Sequence, residues 1–282
     1  MIDTPRRFFR SYPGGAGHAL ALAGADSALD ELGPALGYAG VSAGALIAIA
    51  RAFGIGHARL QAVLERLLQQ DRLLDIAPLR LGDAGLCAWD VVPRTIDELL
   101  GRGVTMGEAR VPLIVVVTDL DSGAPRYLSS QHTPRVLVSE AARATSAFPG
   151  IAPQLTIPSL GTAMSPDIRL HTDGGVTDNT ADHVWDDRVA PRVALRLVGS
   201  EPLRRVRHGE PIAQALALFN ALTFAPSTLK SRRLDGVVID VPRVGDGLDF
   251  SLSTDEMRAR WRAGHAAVMA RAADVRASVG AA

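Results

Sequence analysis

The feature that most constrains the fold of this chain is a serine between two glycines. The pattern G-x-S-x-G runs from Gly40 to Gly44 around Ser42. A short apolar run (35–39) precedes it, and an apolar run rich in helix formers (45–53) follows it. Strand, tight turn and helix form the context of a nucleophile elbow, in which the helix N-terminus faces an activated serine hydroxyl. Taken alone, the pattern equally fits a plain glycine-rich turn.

The rest of the chain alternates between strand-like and helix-like patterns. It opens with a strand over 7–12, a glycine loop over 14–18 and a helix over 19–32, before the second strand and the elbow. The clearest strand, 111–118, is nearly all β-branched or apolar, as in a strand buried on both faces. This alternation predicts an α/β fold with a mostly parallel central sheet covered by helices. Further patterns predict helices over 57–74, 90–100, 139–147, 212–224 and 254–273, and strands over 126–128, 193–198 and 236–241.

The domain organisation follows from what the sequence does not contain. It has no internal repeat, no low-complexity linker and no break in composition. We therefore expect one domain over 1–282, with a core over about 8–245 and a closing helix over about 254–273. Thr254 is expected to supply the cap of that helix.

Composition excludes several classes of function. Thirty basic and thirty acidic residues cancel, which argues against a nucleic-acid partner. The single lysine, Lys230, lacks the glycines of a Walker A loop, and the single cysteine, Cys87, excludes an internal disulfide and a cysteine-built zinc site. Cys87 is interpreted as a packed residue. No metal and no organic cofactor is implied, and the oligomeric state stays open.

The N-terminal segment has some features of an export signal but lacks its continuous apolar core. Arginines at 6, 7 and 10 precede the stretch 14–25, but Pro13 and several glycines interrupt the apolar core. No stretch is long and apolar enough to cross a membrane. We expect a cytoplasmic protein, with secretion and peripheral membrane association as the alternatives.

A second motif lies far downstream, where Asp173 is followed by Gly174 and Gly175, with Asn179 shortly after. In isolation this is a turn aspartate before two glycines. With the glycine loop and the early elbow, however, it resembles the patatin-like phospholipases. The segments 141–150 and 248–250 resemble the same family, so that the likeness covers roughly residues 8–270.

The resemblance implies a three-layer α/β/α fold and a Ser–Asp dyad. Ser42 would be the nucleophile and Asp173 its base, in an enzyme that hydrolyses acyl esters of lipids through an acyl-enzyme. The implied activities are phospholipase A, lysophospholipase or non-specific lipid acyl hydrolase, with transient contact to a membrane surface. An isolated aspartate has a pKa near 3.9, which is low for this role. We therefore expect Asp173 to be desolvated or to act late, as the hydroxyl attacks.

The expected oxyanion hole departs from the family pattern. Family members usually carry a Gly-Gly-Gly-x-Arg/Lys-Gly loop, and this chain has Ala16, His18 and Ala19 at three of those positions. The backbone donors survive these changes, whereas the permanent positive charge does not. His18 is open to two interpretations, a headgroup contact or an ordinary loop residue. The candidate N–H donors are those of Gly14, Gly15, Ala16 and Ala43.

Three other interpretations compete. A conventional α/β-hydrolase would add a histidine after the acid, and the candidates are His183, His208 and His265, but the elbow comes too early for that fold. A catalytically silent patatin-like domain that binds lipid or a protein is suggested by the altered loop. A nucleotide-binding domain is set aside, because Gly14–Gly17 does not fit G-x-G-x-x-G.

Overall fold

The computed structural model describes residues 7–69, 89–149, 152–162, 165–188, 190–199, 236–245, 247 and 251–281. The strands in these ranges are β1 (Phe8–Tyr12), β2 (Ala35–Val41), β3 (Leu113–Asp119), β4 (Ala124–Ser129), β5 (His171–Asp173), β6 (Arg192–Val198) and β7 (Val237–Pro242). The helices are α1 (Ala19–Leu32), α2 (Ala43–Ala52), α3 (His57–Leu68), α4 (Val91–Leu100), α5 (Val138–Thr145), α6 (Thr254–Ala270) and α7 (Ala272–Ala281).

The strands form one mixed, mostly parallel sheet in the order β4-β3-β2-β1-β6-β7, with β5 paired to β3. All neighbours from β3 through β7 run parallel, whereas β4 and β5 pair with β3 antiparallel. The carboxyl ends of β1, β2 and β3 therefore lie at the same edge of the sheet, where open α/β sheets place their ligand sites. The predicted α/β fold with a mostly parallel sheet is confirmed.

The two faces of the sheet are covered differently. Alternate residues of β1, such as Phe8 and Tyr12, join the main core formed with the helices. Phe9 faces the other way and stacks on Trp185, with ring centroids 4.3 Å apart, in a smaller cluster that also contains Ala39, Val41 and Val116. Ser11, on the same side as Phe9, accepts a hydrogen bond from the Trp185 indole.

Strand β5 has a position that decides the geometry of the site. It pairs with Val117–Asp119 of β3, and β4 already occupies one edge of β3 over those residues. β5 must therefore use the other edge, the one that β2 occupies up to Val116. Val41 lies opposite Val116 and Asp173 opposite Val117. The end of β2 and the end of β5 thus meet head-on, so that residue 42 lies beside residue 173.

The closing helix differs from its prediction. It is two helices, α6 and α7, which meet at Arg271. Its cap is Ser253 rather than Thr254, because Ser253 accepts the N–H of Glu256 while the Glu256 carboxylate accepts the N–H of Ser253. The predicted helix over 212–224, the packed Cys87 and the family-like segment 248–250 lie outside the described residues, as do residues 70–74 of the predicted helix over 57–74.

Candidate active site

Ser42 stands at the turn from β2 into α2 in a backbone conformation that serine rarely adopts. Its φ is 50° and its ψ −123°. Such left-handed conformations cost free energy in non-glycine residues and concentrate at functional sites. The flanking glycines allow close packing, because a Cβ on Gly44 would lie 2.4 Å from the Pro13 carbonyl oxygen, and one on Gly40 would lie 2.5 Å from that of Gly44. Ser42 itself remains partly exposed.

The Ser42 hydroxyl donates a hydrogen bond to Asp173. Its Oγ lies 2.6 Å from Asp173 Oδ2, although the two residues are 131 positions apart. The second carboxylate oxygen, Oδ1, accepts the N–H of Gly175 at 2.7 Å. Gly174 is required by packing, since a Cβ there would lie 2.3 Å from the Val116 carbonyl oxygen. The carboxylate is therefore held with one oxygen toward the serine and the other toward backbone.

Burial changes the acidity of Asp173, whose side chain is 1% exposed. Desolvation raises the pKa of Asp173 from 3.8 to about 7, and the hydrogen bonds from Ser42 and Gly175 oppose that rise only in part. A carboxylate with a pKa near neutrality accepts a hydroxyl proton more readily than an ordinary aspartate.

Thr145, at the end of α5, holds the elbow in place through two hydrogen bonds of its hydroxyl. Its hydroxyl accepts the N–H of Ser42 at 3.0 Å and donates to the carbonyl of Val116 at 2.5 Å. The hydroxyl thus bridges β2 and β3 at the point where the chain leaves the sheet. The side chain is fully buried.

The glycine loop after β1, residues 14–18 and here called the Gly loop, lies against the serine. A Cβ on Gly14 would be 3.1 Å from Ser42 Cβ. A 3₁₀ turn over Ala16–His18 leads from this loop directly into α1. The N-terminus of α2 begins directly after the serine, and helix N-termini favour negative charge.

With this geometry established, a family model described as patatin-like phospholipase matches residues 12–183. The chain belongs to the patatin-like phospholipase family. Membership supports lipid acyl hydrolysis as the general class of activity. Among curated proteins, no relative matches this chain.

Two solved structures have a fold similar to that of this chain. The fold is similar to that of VipD from Legionella pneumophila, with a TM-score of 0.54 and 15% identity, over 96% of this chain and 67% of that one. It is also similar to human GIVD cytosolic phospholipase A2, whose structure contains a fluorophosphonate inhibitor, with a TM-score of 0.55 and 11% identity. That match covers all of this chain and 60% of the human protein.

The structure shows the surroundings of two residues predicted at the Gly loop. The N–H of Gly14 donates to Asn179 Oδ1 at 3.0 Å, so this donor is already engaged. His18 is buried, with 2% of its surface exposed. Among the described residues, no acceptor is found for the backbone N–H groups of Gly15, Ala16 and Ala43.

The histidines that follow Asp173 do not complete a triad where they are described. His183 contacts Tyr127, Asp178 and Asp182. His265 pairs with Glu31, and His208 lies outside the described residues. Asp173 instead bonds Ser42 directly, as a dyad requires.

Sequence analysis missed two residues that contact the site. Thr145 lies within the family-like segment 141–150 but carried no assigned role. Arg260 donates to the carbonyl of Gly17 from 243 positions away, and no local pattern marks it. Both contacts depend on tertiary packing, which a single sequence does not reveal. Across the part of the chain that the structure describes, no helix is both long and apolar enough to traverse a bilayer, and no cluster of three metal-ligating side chains is found.

Proposed function

We propose that the chain is a serine lipid acyl hydrolase that works through a Ser42–Asp173 dyad. The single observation that carries the proposal is the 2.6 Å hydrogen bond from the Ser42 hydroxyl to a buried carboxylate. A serine hydroxyl is a weak nucleophile until an adjacent base takes its proton. Asp173 is the only partner that this hydroxyl has among the described side chains, and its raised pKa suits that role.

The reaction has two half-reactions. In the first, Ser42 Oγ attacks the ester carbonyl carbon as its proton passes to Asp173 Oδ2. The tetrahedral intermediate collapses, the bond to the leaving alcohol breaks, and Asp173 returns the proton to the alcohol oxygen. In the second, water attacks the acyl-enzyme, Asp173 takes a proton from the water, and the collapse returns a proton to Ser42 and releases the fatty acid.

The negative oxygen of each intermediate requires preorganised donors. The N–H groups of Gly15 and Ala16 in the Gly loop, with that of Ala43 at the start of α2, are the candidates. Loss of one such donor typically costs about 10²–10³ in rate. Gly14 is left out of this set because Asn179 engages its N–H. The Gly14–Asn179 bond instead ties the Gly loop to the segment that follows Asp173.

The proposal is tested by fatty acid release from phosphatidylcholine vesicles and from a soluble p-nitrophenyl acyl ester. Ser42→Ala removes the nucleophile from a partly exposed position and should abolish turnover of both substrates while thermal unfolding stays close to that of the parent. The exposed Ser122→Ala is the matched control and should retain parental rates. Turnover by Ser42→Ala at the parental rate would contradict the assignment. No turnover of any ester by the folded parent would favour the silent lipid- or protein-binding domain.

A further inference from the structure

The Gly loop is hydrogen-bonded to a part of the chain that lies beyond the residues matched by the family model. The N–H of Gly17 donates to the carbonyl oxygen of Gly247 at 2.7 Å. The carbonyl oxygen of Gly17 accepts a hydrogen bond from Arg260 Nη1, also at 2.7 Å. The match to the family ends at residue 183. The N–H and the carbonyl of this one loop residue are thus both bound from the C-terminal segment.

Arg260 is an unusual side chain for such a position, because it is only 2% exposed. A guanidinium keeps its charge under all ordinary conditions, and burying it is costly unless it is hydrogen-bonded. The turn after β7 closes over it, since a Cβ on Gly245 would lie 3.1 Å from Arg260 Nη2. A hydrogen bond from a charged donor is roughly twice as strong as one between neutral groups. The bond to Gly17 is therefore suited to holding the loop.

The close packing of α6 against α1 brings Arg260 next to the Gly loop. A Cβ on Gly264 of α6 would lie 1.7 Å from the Ala21 carbonyl oxygen in α1, and one on Gly24 would lie 2.1 Å from that of Trp261. The two helix backbones are therefore in direct contact. Gly264 is four residues after Arg260, so both lie on the same face of α6. Because α1 begins where the Gly loop ends, this contact sets the distance from α6 to the loop.

We propose that Arg260 is a positioning residue for the oxyanion hole: it holds the Gly17 carbonyl so that the N–H groups of Gly15 and Ala16 face Ser42. The inference rests on the proposed function. Next to the buried His18, Arg260 brings a permanent positive charge to the Gly17 carbonyl from a distant helix.

The experiment compares Arg260→Met and Arg260→Lys with the parent, using Arg258→Met as the matched control. Arg258 lies on the same helix but is 60% exposed. Turnover of a soluble p-nitrophenyl acyl ester should show a fall in kcat of about tenfold or more for Arg260→Met, with KM within about twofold, because a displaced donor weakens transition-state stabilisation more than substrate binding. Arg260→Lys should lie between Met and the parent, because lysine keeps the charge but loses the planar fork.

Hydrogen–deuterium exchange of the peptide covering residues 12–20 tests whether Arg260 holds the Gly loop, and it does not depend on enzymatic activity. Exchange there should be faster in Arg260→Met than in the parent and unchanged in Arg258→Met. A parental exchange rate, or a kcat within twofold of the parent, would overturn the proposal. If Arg260→Met does not fold, Arg260→Lys is judged by the same two measurements. If the parent hydrolyses no ester, the proposed function fails, and exchange alone still decides whether Arg260 holds the loop.

Discussion

In the proposed mechanism, the burial of Asp173 is what suits its carboxylate to act as a base. Its side chain is 1% exposed, and the two hydrogen bonds it accepts, from Ser42 and Gly175, do not offset the loss of water around the charge. Desolvation of this kind is one of the ordinary ways in which proteins move a carboxylate pKa toward neutrality. This desolvation has a cost in stability of the folded state, because burial disfavours the ionised form of Asp173.

This cost predicts a pH-dependent stability. Since the folded pKa of about 7 lies above the usual 3.8, the folded chain keeps a proton that the unfolded chain releases between those values. Stability from this group therefore falls as pH rises from about 4 to about 7, by on the order of 4 kcal/mol. Asp173→Asn removes this loss and should be more stable than the parent at pH 8, but not at pH 4. Thermal unfolding at both pH values measures the difference.

The same substitution links stability to activity. Acylation by Asp173→Asn should fall by at least 10²-fold, comparable with the loss of an oxyanion donor. The parent's kcat/KM should rise with an apparent pKa near 7, as the base ionises. An Asn variant with near-parental acylation, or with a lower stability than the parent at pH 8, would be inconsistent with a desolvated base.

At the residue scale, the sequence motifs point to the two residues that the structure joins by a hydrogen bond, Ser42 and Asp173, but not to the partners of the Gly loop. Ser42 and Asp173 stand in motifs that can be identified locally, and the expectation that Asp173 is desolvated agrees with its burial. The hydrogen bond from the Gly14 N–H to Asn179 was not predictable, because the partner lies 165 positions away in sequence. The burial of His18 likewise depends on elements that fold over it.

At the scale of elements, β3 aligns the dyad. β2 and β5 share one of its edges and meet between Val116 and Val117. A shift of β5 by one residue would turn Asp173 to the opposite face of the sheet. Thr118 opposes such a shift, because its hydroxyl donates to the Asp173 carbonyl at 2.8 Å. Ser42 and Asp173, which are 131 positions apart in sequence, are therefore brought together by a single strand.

Thr145 joins α5, β3 and the elbow, and its hydroxyl supports the strained backbone of Ser42. Thr145→Val keeps the shape but leaves the Ser42 N–H and the Val116 carbonyl without this partner, which costs about 1–3 kcal/mol for a buried polar group. We expect a lower unfolding temperature and a fall in kcat larger than any change in KM. Thr145→Ser keeps the hydroxyl and should restore most of kcat. Equal kcat values for the Val and Ser variants would count against a role for the hydroxyl.

The elements were largely predictable where the pattern is local and strong. The prediction of β3 from its β-branched run and of α1 from its stop at Gly33-Pro34 agrees with the structure. The break between α6 and α7 at Arg271 was missed, because helix-forming residues continue across it. The three-residue β5 is too short for a local pattern to define it, since its pairing with β3 is what makes it a strand.

At the scale of the whole molecule, the site draws on both ends of the chain. The Gly loop, the elbow and the Asp-Gly-Gly motif lie within residues 12–183, which match the family. The groups that hold Gly17 come from Gly247 and Arg260. We therefore propose that the catalytic unit of this patatin-like protein extends to α6, and that the helix crossing at Gly24 and Gly264 is part of its architecture.

The proposed function depends first on Ser42 being an activated nucleophile. The most direct measurement is labelling of the intact chain with a fluorophosphonate probe, with the adduct mapped by mass spectrometry and Ser42→Ala as the control. The probe reacts with activated serines and requires no choice of lipid. We expect one adduct, on Ser42, with a labelling rate that rises through pH 7 as Asp173 ionises. A folded parent that stays unlabelled, or that is labelled on another serine, would contradict that expectation.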